Sequence, residues 1–386
     1  MSMSIDFLRE AESLRQKLTE IRQTLHKNPE IGDHEYKTAE IIESVLDEIG
    51  ISHRRVLDTG IVARIDGKLP GNHCALRSDI DALPITEATG CGFESQNPGV
   101  MHACGHDVHI TSALGAAMIL NAHREELCGS VTLIFQPNEE GDGGAKRMID
   151  AGVLGELDGI SAVFGAHVDP ALPAGHIGVK YGAFYAASAT WKINVIGKSA
   201  HGAQRDKGID AIEAAAHVVP EILAIKGGVV SAGTIHAGTV NNILAGNCEM
   251  TGIIRTFGMD ERSRMCRELE ARSVETAGRF GAKCVCEITD SCPGIVNDND
   301  SLTSFVEATA RETLGSDRVD VIDKPLFISE DFGYFIIAKT RCFYHIGAGS
   351  SYPLHSDKFL PVPEAFVTAS AVHAAIASKY NSTIQD

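Results

Sequence analysis

Leu14, Leu18, Ile21 and Leu25 recur at helical spacing ahead of Pro29, and Ile41, Ile42, Val45, Leu46 and Ile49 form a second apolar stripe that stops at Gly50. Two amphipathic helices are therefore expected to open the chain. Short apolar runs of strand length follow at His73 to Leu76, Val131 to Phe135 and Ser161 to Phe164, separated by helix-like stretches such as Val108 to Ala122. Strands that alternate with helices predict an α/β core around a mainly parallel sheet. Near residue 185 the pattern changes. Trp191, Ile193 and Val195 alternate with polar residues as in a half-exposed antiparallel strand, and this predicts a second domain. It is expected to hold a strand at Thr190 to Ile196, a helix at about Ile209 to Ile225, strands within Thr234 to Thr256 and a helix at Asp260 to Phe280, a two-layer α+β unit. After the Cys292-Pro293-Gly294 break the helix and strand alternation resumes, so the C-terminal residues are expected to complete the first domain.

At 386 residues the chain exceeds the usual size of one core, in keeping with a large domain that carries an inserted smaller one. Acidic residues outnumber basic ones 51 to 34, and the net charge of −17 repels nucleic acid and anionic membranes, which sets both aside as partners. Met1 to Thr24 is rich in charge and lacks the apolar core of a signal peptide, and no later run reaches the roughly 18 residues of a spanning helix. The expected location is the cytosol. Ten cysteines in this length fall short of a disulfide scaffold, so most read as small reduced side chains.

Chemistry concentrates in Met101-His102-Ala103-Cys104-Gly105-His106-Asp107-Val108-His109, where three imidazoles, a thiol and a carboxylate fall within nine positions. If the segment is extended, Cys104 and His106 project to one side and can grip a metal, with Gly105 allowing close approach. Glu139 and Glu140 follow an apolar strand directly, as do His167 and the carboxylates Asp79 and Asp81; His355 stands in Pro353-Leu354-His355-Ser356. Carboxyl ends of parallel strands form ligand crevices, so all of these can meet at one sheet edge. Each also has a plain reading: a lone histidine is more often a hydrogen-bonded structural residue, paired glutamates a solvated helix start, a lone cysteine a buried hydrophobe, and Asp79 and Asp81 a turn. His102 and His109 read as residues that orient ligands or support the fold.

The order of the motifs carries more than any one of them. Arg22 to Glu35 with Leu25-His26-Lys27-Asn28-Pro29-Glu30, Leu76-Arg77-Ser78-Asp79-Ile80-Asp81-Ala82-Leu83-Pro84, Met101 to Asp107, Phe135 to Glu140, Gly165-Ala166-His167-Val168, Gly197-Lys198-Ser199-Ala200-His201, Gly252 to Thr256, Ser329-Glu330-Asp331-Phe332 and Leu354-His355-Ser356 run nearly end to end. In this the chain resembles the zinc or manganese metallopeptidase clan that includes aminoacylase and carboxypeptidase G. Within it, the resemblance is to the amidohydrolase branch of hippurate hydrolases and indole-acetyl-amino-acid hydrolases.

The resemblance implies a catalytic domain in two parts, residues 1–184 and 297–386, and a lid and dimerisation domain at 185–296. It implies two divalent metals, zinc or manganese, on Cys104, His106, Glu140, His167 and His355, with Asp79 and Asp81 behind these ligands and Glu139 as general base. His201 would reach the active site of a partner subunit in a homodimer and stabilise the tetrahedral oxyanion; Asn242 and Arg255 would hold the substrate. The implied reaction is hydrolysis of the amide of an N-acyl or N-aroyl amino acid, with dipeptide cleavage as a variant. Two departures fall in the lid. Arg205-Asp206 stands where the family often has Pro-His, and Asn242-Ile243-Leu244-Ala245 replaces its usual Asn-Val-Ile-Pro. Two other readings make Cys104 the nucleophile of a cysteine hydrolase with His106 as base, or make the protein a metal-stabilised binder without catalysis.

Overall fold

The computed structural model describes residues 5–141, 143–153, 159–337 and 340–383. The two N-terminal stripes fold as α2 (Arg15–Lys27) and α3 (Tyr36–Glu48), preceded by a further helix, α1 (Phe7–Ser13), which the two stripes did not indicate. Asp6 caps α1 by accepting from the Arg9 N–H at 3.1 Å. The chain continues through β1 (Ser52–Val56), β2 (Gly60–Asp66), β3 (Leu69–Asp79), α4 (His106–Ala122), β4 (Cys128–Gln136), α5 (Gly144–Asp150), β5 (Ile160–Asp169) and β6 (Ile177–Val179). Next come β7 (Gly182–Tyr185), β8 (Ala187–Ile196), α6 (Ala211–Leu223), β9 (Val229–Ala237), β10 (Asn247–Thr256), α7 (Met259–Arg279), β11 (Lys283–Asp290) and β12 (Ile295–Asn297). The last elements are α8 (Asp300–Leu314), β13 (Val319–Val321), β14 (Arg341–Gly347) and α9 (Pro363–Ser382).

Two compact units result. The first comprises Met1–Gly182, Asn297–Asp323 and Tyr334–Asp386, the second Ala183–Val296 and Lys324–Gly333. In the first, an eight-stranded sheet runs β1-β2-β4-β3-β5-β14-β6-β13. Its centre, β4-β3-β5-β14, is parallel throughout, and antiparallel pairings flank it at β2/β4 and β14/β6. Central strands covered on both faces need continuous apolar runs, and Val131 to Gln136 of β4 are all buried. Helix α4 is buried from His106 to Leu120 and packs on α9, itself buried almost end to end. A helix apolar on every side belongs in a core.

The second unit holds the antiparallel sheet β11-β8-β10-β9. Its alternation places Trp191, Ile193 and Val195 in one core with Ala214, Val218 and Ile222 of α6 and Met265 and Leu269 of α7. This is the two-layer α+β arrangement that the period-two pattern predicts. Among the described residues no helix is long and apolar enough to cross a membrane.

Candidate metal centre

The parallel strands end at the same edge, and their register aligns the chemistry: Asp79 of β3 pairs with Gln136 of β4, and His167 of β5 with His345 of β14. Beyond β4 the chain turns sharply at Asn138, a left-handed residue with φ 51°. Three contacts hold it there. Its N–H donates to buried Glu35 Oε1 at 2.8 Å, its Nδ2 donates to Asp33 Oδ2 at 2.8 Å, and its carbonyl accepts from the Gly144 N–H at 3.0 Å. A Cβ at Gly32 or Gly141 would fall 2.1 Å from Asn138 Oδ1, so both positions exclude side chains. This turn presents Glu139 and Glu140 at the edge.

The segment before α4 is a turn, which corrects the expectation of an extended strand. Gly105 takes φ 86° at the helix N-cap and His106 is the first helical residue. Cys104 and His106 still come together because the left-handed step redirects the chain between them. Substituting Gly105 by alanine adds a Cβ 2.6 Å from Val168 Cγ2 in a backbone conformation that L side chains rarely adopt. The expected loss of stability is about 1–3 kcal/mol, visible as a lower melting temperature together with weaker metal uptake. A variant that melts and takes up metal like the parent would show that the turn tolerates a side chain.

Five side chains converge. Potential ligand atoms of Cys104, His106 and His167 lie within 4.8 Å of one another, as do those of Cys104, Glu140 and His355. Cys104 Sγ is 3.3 Å from His167 Nε2, and His355 Nε2 is 3.2 Å from Glu140 Oε1. His355 is itself left-handed, with φ 63°, and its N–H donates to Ala103 O at 2.9 Å, which ties its loop to the Cys104 turn. Glu139 Oε2 stands 4.0 Å from His106 Nε2.

Behind these groups hydrogen bonds settle each tautomer. His167 Nδ1 donates to the Val168 carbonyl at 2.8 Å, which leaves the Nε2 lone pair facing Cys104. His109 Nε2 accepts from the Val168 N–H at 2.9 Å, so its proton sits on Nδ1 and goes to Asp79 Oδ1 at 2.6 Å. Asp79 is further held by Arg77 at 2.9 Å. Asp81 receives His106 Nδ1 at 3.2 Å on one oxygen and the Glu140 N–H at 3.0 Å on the other. Asp79 and Asp81 therefore brace the centre.

The donor set fits a cation. His106 Nε2 is buried with no hydrogen bond aligned on it, a costly state unless another partner occupies the space. Burial opposes protonation of His106, yet Asp79, Asp81 and Glu140 outweigh it and push the ring up to about 10. The surrounding carboxylates thus favour positive charge. Burial, with Glu140 and Glu139 beside it, raises the Cys104 thiol well above its ordinary value. A nucleophilic cysteine needs the opposite shift, which counts against the cysteine-hydrolase reading; next to a cation the same thiol becomes a ligand. Thiolate, imidazole and carboxylate together make a donor set for a divalent transition metal.

Residues 75–379 match the family described as Peptidase family M20/M25/M40. The chain belongs to this family. As an M20 protein it is a metal-dependent hydrolase. It is 36% identical over 379 residues to the N-acetylcysteine deacetylase of Bacillus subtilis, covering 96% of this chain and 98% of that protein. It is 33% identical over 382 residues to thermostable carboxypeptidase 2 of Saccharolobus solfataricus, covering 95% of each. The crystal structure of a dinuclear metal-binding M20 peptidase from Bacillus subtilis superposes with TM-score 0.87 at 33% identity, covering 97% of this chain and 99% of that one.

The second unit of this M20 chain holds the remaining sequence-derived residues. His201 is exposed and bridges to Ile243, while the Gly202 N–H donates to Asn242 O at 2.8 Å, so His201 and Asn242 lie side by side. Arg255 is half-buried in β10, and its guanidinium has no ion pair among the described residues. Arg205 is exposed and paired with Glu213 and Asp210 of its own unit, the surface role rather than an anion-binding one. Leu244 and Ala245 are buried, so that departure is absorbed by packing.

Several supporting residues escaped the sequence reading. Besides Glu35, Asp33 and Asn138, a buried chain links Arg22, Asp107, His26 and Glu87: Arg22 Nε lies 2.9 Å and His26 Nδ1 2.7 Å from Asp107 Oδ2, and His26 Nε2 lies 3.0 Å from Glu87 Oε1. It anchors the residue next to His106. The signal was present, since Arg22 and His26, four apart, lie on the buried face of α2 with Leu18, Ile21 and Leu25.

Proposed function

We propose that the protein hydrolyses the amide of an N-acyl or N-aroyl amino acid, with two divalent metals held by Cys104, His106, Glu140, His167 and His355. The convergence of these five donors, with Glu139 beside them, carries the reading. A bound pair of such ions supplies Lewis acidity, lowering the pKa of water and polarising the scissile carbonyl. Glu139 accepts the proton released as water attacks and delivers it to the leaving nitrogen. Asp79 and Asp81 keep the imidazoles and the Glu140 backbone oriented. Arg255, half-buried and without an acidic partner among the described residues, suits the substrate carboxylate, and Asn242 its neighbouring polar groups. The N-acetylcysteine deacetylase relative supports N-acyl amino acids as the class, and the carboxypeptidase relative keeps short peptides as a variant.

The unit that bears His201 also bears an open edge. Strand β9 ends its sheet, with Val229 and Ile235 exposed on it and Ile212 and Leu223 exposed on α6. An apolar edge of this kind calls for a partner. In this reading two copies pair through it and His201 of each serves the other's centre by stabilising the oxyanion; a monomer in sedimentation at assay concentration would end that part. The free cysteines suit a reducing compartment, so we place the reaction in the cytosol.

The deciding assay follows free amine released from N-acetyl, N-benzoyl and indole-acetyl amino acids and simple dipeptides, before and after chelation. Cleavage of at least one class, lost on chelation and restored by zinc or manganese, is the expected result. A folded, fully metallated protein that cleaves none of them would favour the binding-protein reading.

A further inference from the structure

Strand β11 carries Cys284 and Cys286, which being two residues apart share one face of the strand. Both are half-buried free thiols packed against the core that α6 and α7 close. Their Sγ atoms stand 3.8 Å apart. Ser273 of α7 lies within hydrogen-bond reach of Cys286.

The sulfur separation discriminates between uses of a thiol pair. Thiolates about 2.3 Å from a tetrahedral cation are about 3.8 Å apart, whereas a linear two-coordinate cation would hold them about 4.6 Å apart. A disulfide is less well served. Alternate residues of a strand lie roughly 6.6 Å apart at Cα, near the far limit for a disulfide, whose most frequent Cα separation is about 5.5–6 Å. The spacing at hand, that of two thiols in hydrogen-bond contact, also matches a tetrahedral chelate, which can therefore form without moving the strand.

We propose that Cys284 and Cys286 form a two-thiolate binding site for a thiophilic divalent cation of tetrahedral preference, zinc or cadmium. Solvent fills the other two positions. Binding releases the thiol protons and closes a chelate on edge strand β11 of the second unit. None of these residues belongs to the centre built around Cys104.

Zinc is the probe. The holoenzyme is equilibrated with zinc, desalted and analysed for bound metal, alongside the Cys284→Ser/Cys286→Ser double variant. Wild type is expected to retain one more equivalent of zinc than the double variant, with hydrolysis unchanged. Because the result is a difference, it holds whatever the occupancy at Cys104, and a failed amidase assay leaves it intact. In the wild-type protein, added zinc is also expected to slow alkylation of Cys284 and Cys286 in a peptide-mapped iodoacetamide experiment, a readout that needs no variant. Equal zinc contents with zinc-independent alkylation would overturn the proposal, as would a Cys284–Cys286 disulfide formed with no zinc retained.

Discussion

Replacing Glu139 by glutamine is expected to lower kcat by a factor of about 10² to 10⁴, the usual contribution of a positioned general base, while fold and metal content stay those of the parent. Glutamine has the same shape but cannot take up a proton. Glu139 reaches the centre from the Asn138 turn, and its Oε2 lies 4.0 Å from His106 Nε2. The turn is held by Glu35 and Asp33 through Asn138 itself, so the exchange at position 139 leaves those contacts in place. Such a loss corresponds to roughly 3–5 kcal/mol of transition-state stabilisation. Steady-state kinetics with elemental analysis on the same sample checks it. Parental kcat would remove Glu139 from the proton transfer; a low kcat with lost metal would make it a ligand instead.

Removing the Asp81 carboxylate is expected to weaken metal binding by about 10- to 100-fold although Asp81 is not among the five proposed donors. One of its oxygens orients the His106 ring and the other the Glu140 N–H, so a single side chain sets two ligands. Asp81→Ala frees both. Asp81→Asn is expected to be at least as harmful, because an amide can satisfy only one of the two donors. Turned with its oxygen toward Glu140, it presents an NH₂ to His106 Nδ1, which moves the ring proton to the Nε2 that faces the centre. Competition with a chelator of known affinity measures the loss, and melting curves separate it from unfolding. If both variants bound metal as the parent does, Asp81 would be no more than a packing residue.

Candidate donors could be picked out from sequence because apolar strands mark where a sheet edge lies and the polar residues just beyond them become its rim, while their roles as ligands came from the family resemblance. Glu139, Glu140 and His167 follow that rule, as does Asp79 at the end of β3. His355 does not, since it lies eight residues past Gly347 in a loop, and only the ordered motifs pointed to it. The conformation of the Cys104 turn was misread because a period-two argument assumes extended backbone, and Gly105 breaks it with a left-handed step. Glu35 and Asp33 lay within the matching Arg22 to Glu35 stretch but with no role to read from it, and Glu87 gave no signal. Their roles depend on partners 103, 105 and 61 positions away, Asn138 for the first two and His26 for the third.

Local periodicity by itself indicated the helices at Leu14 to Leu25 and Ile41 to Ile49, the parallel core and the antiparallel second unit, because 3.6- and 2-residue periods report which face of each element leaves water, whereas the candidate donors were given their roles by the family resemblance of the ordered motifs. Tertiary structure alone decided that the thiol of Cys104 meets the ring of His167 at 3.3 Å, which His106 nitrogen is left without a partner, and that two thiols of β11 stand 3.8 Å apart. Those are distances between side chains brought together by packing. Hydrophobic pattern specifies the faces that pack, but the separation of two polar atoms across a packed edge follows from strand register, turn conformation and rotamer together.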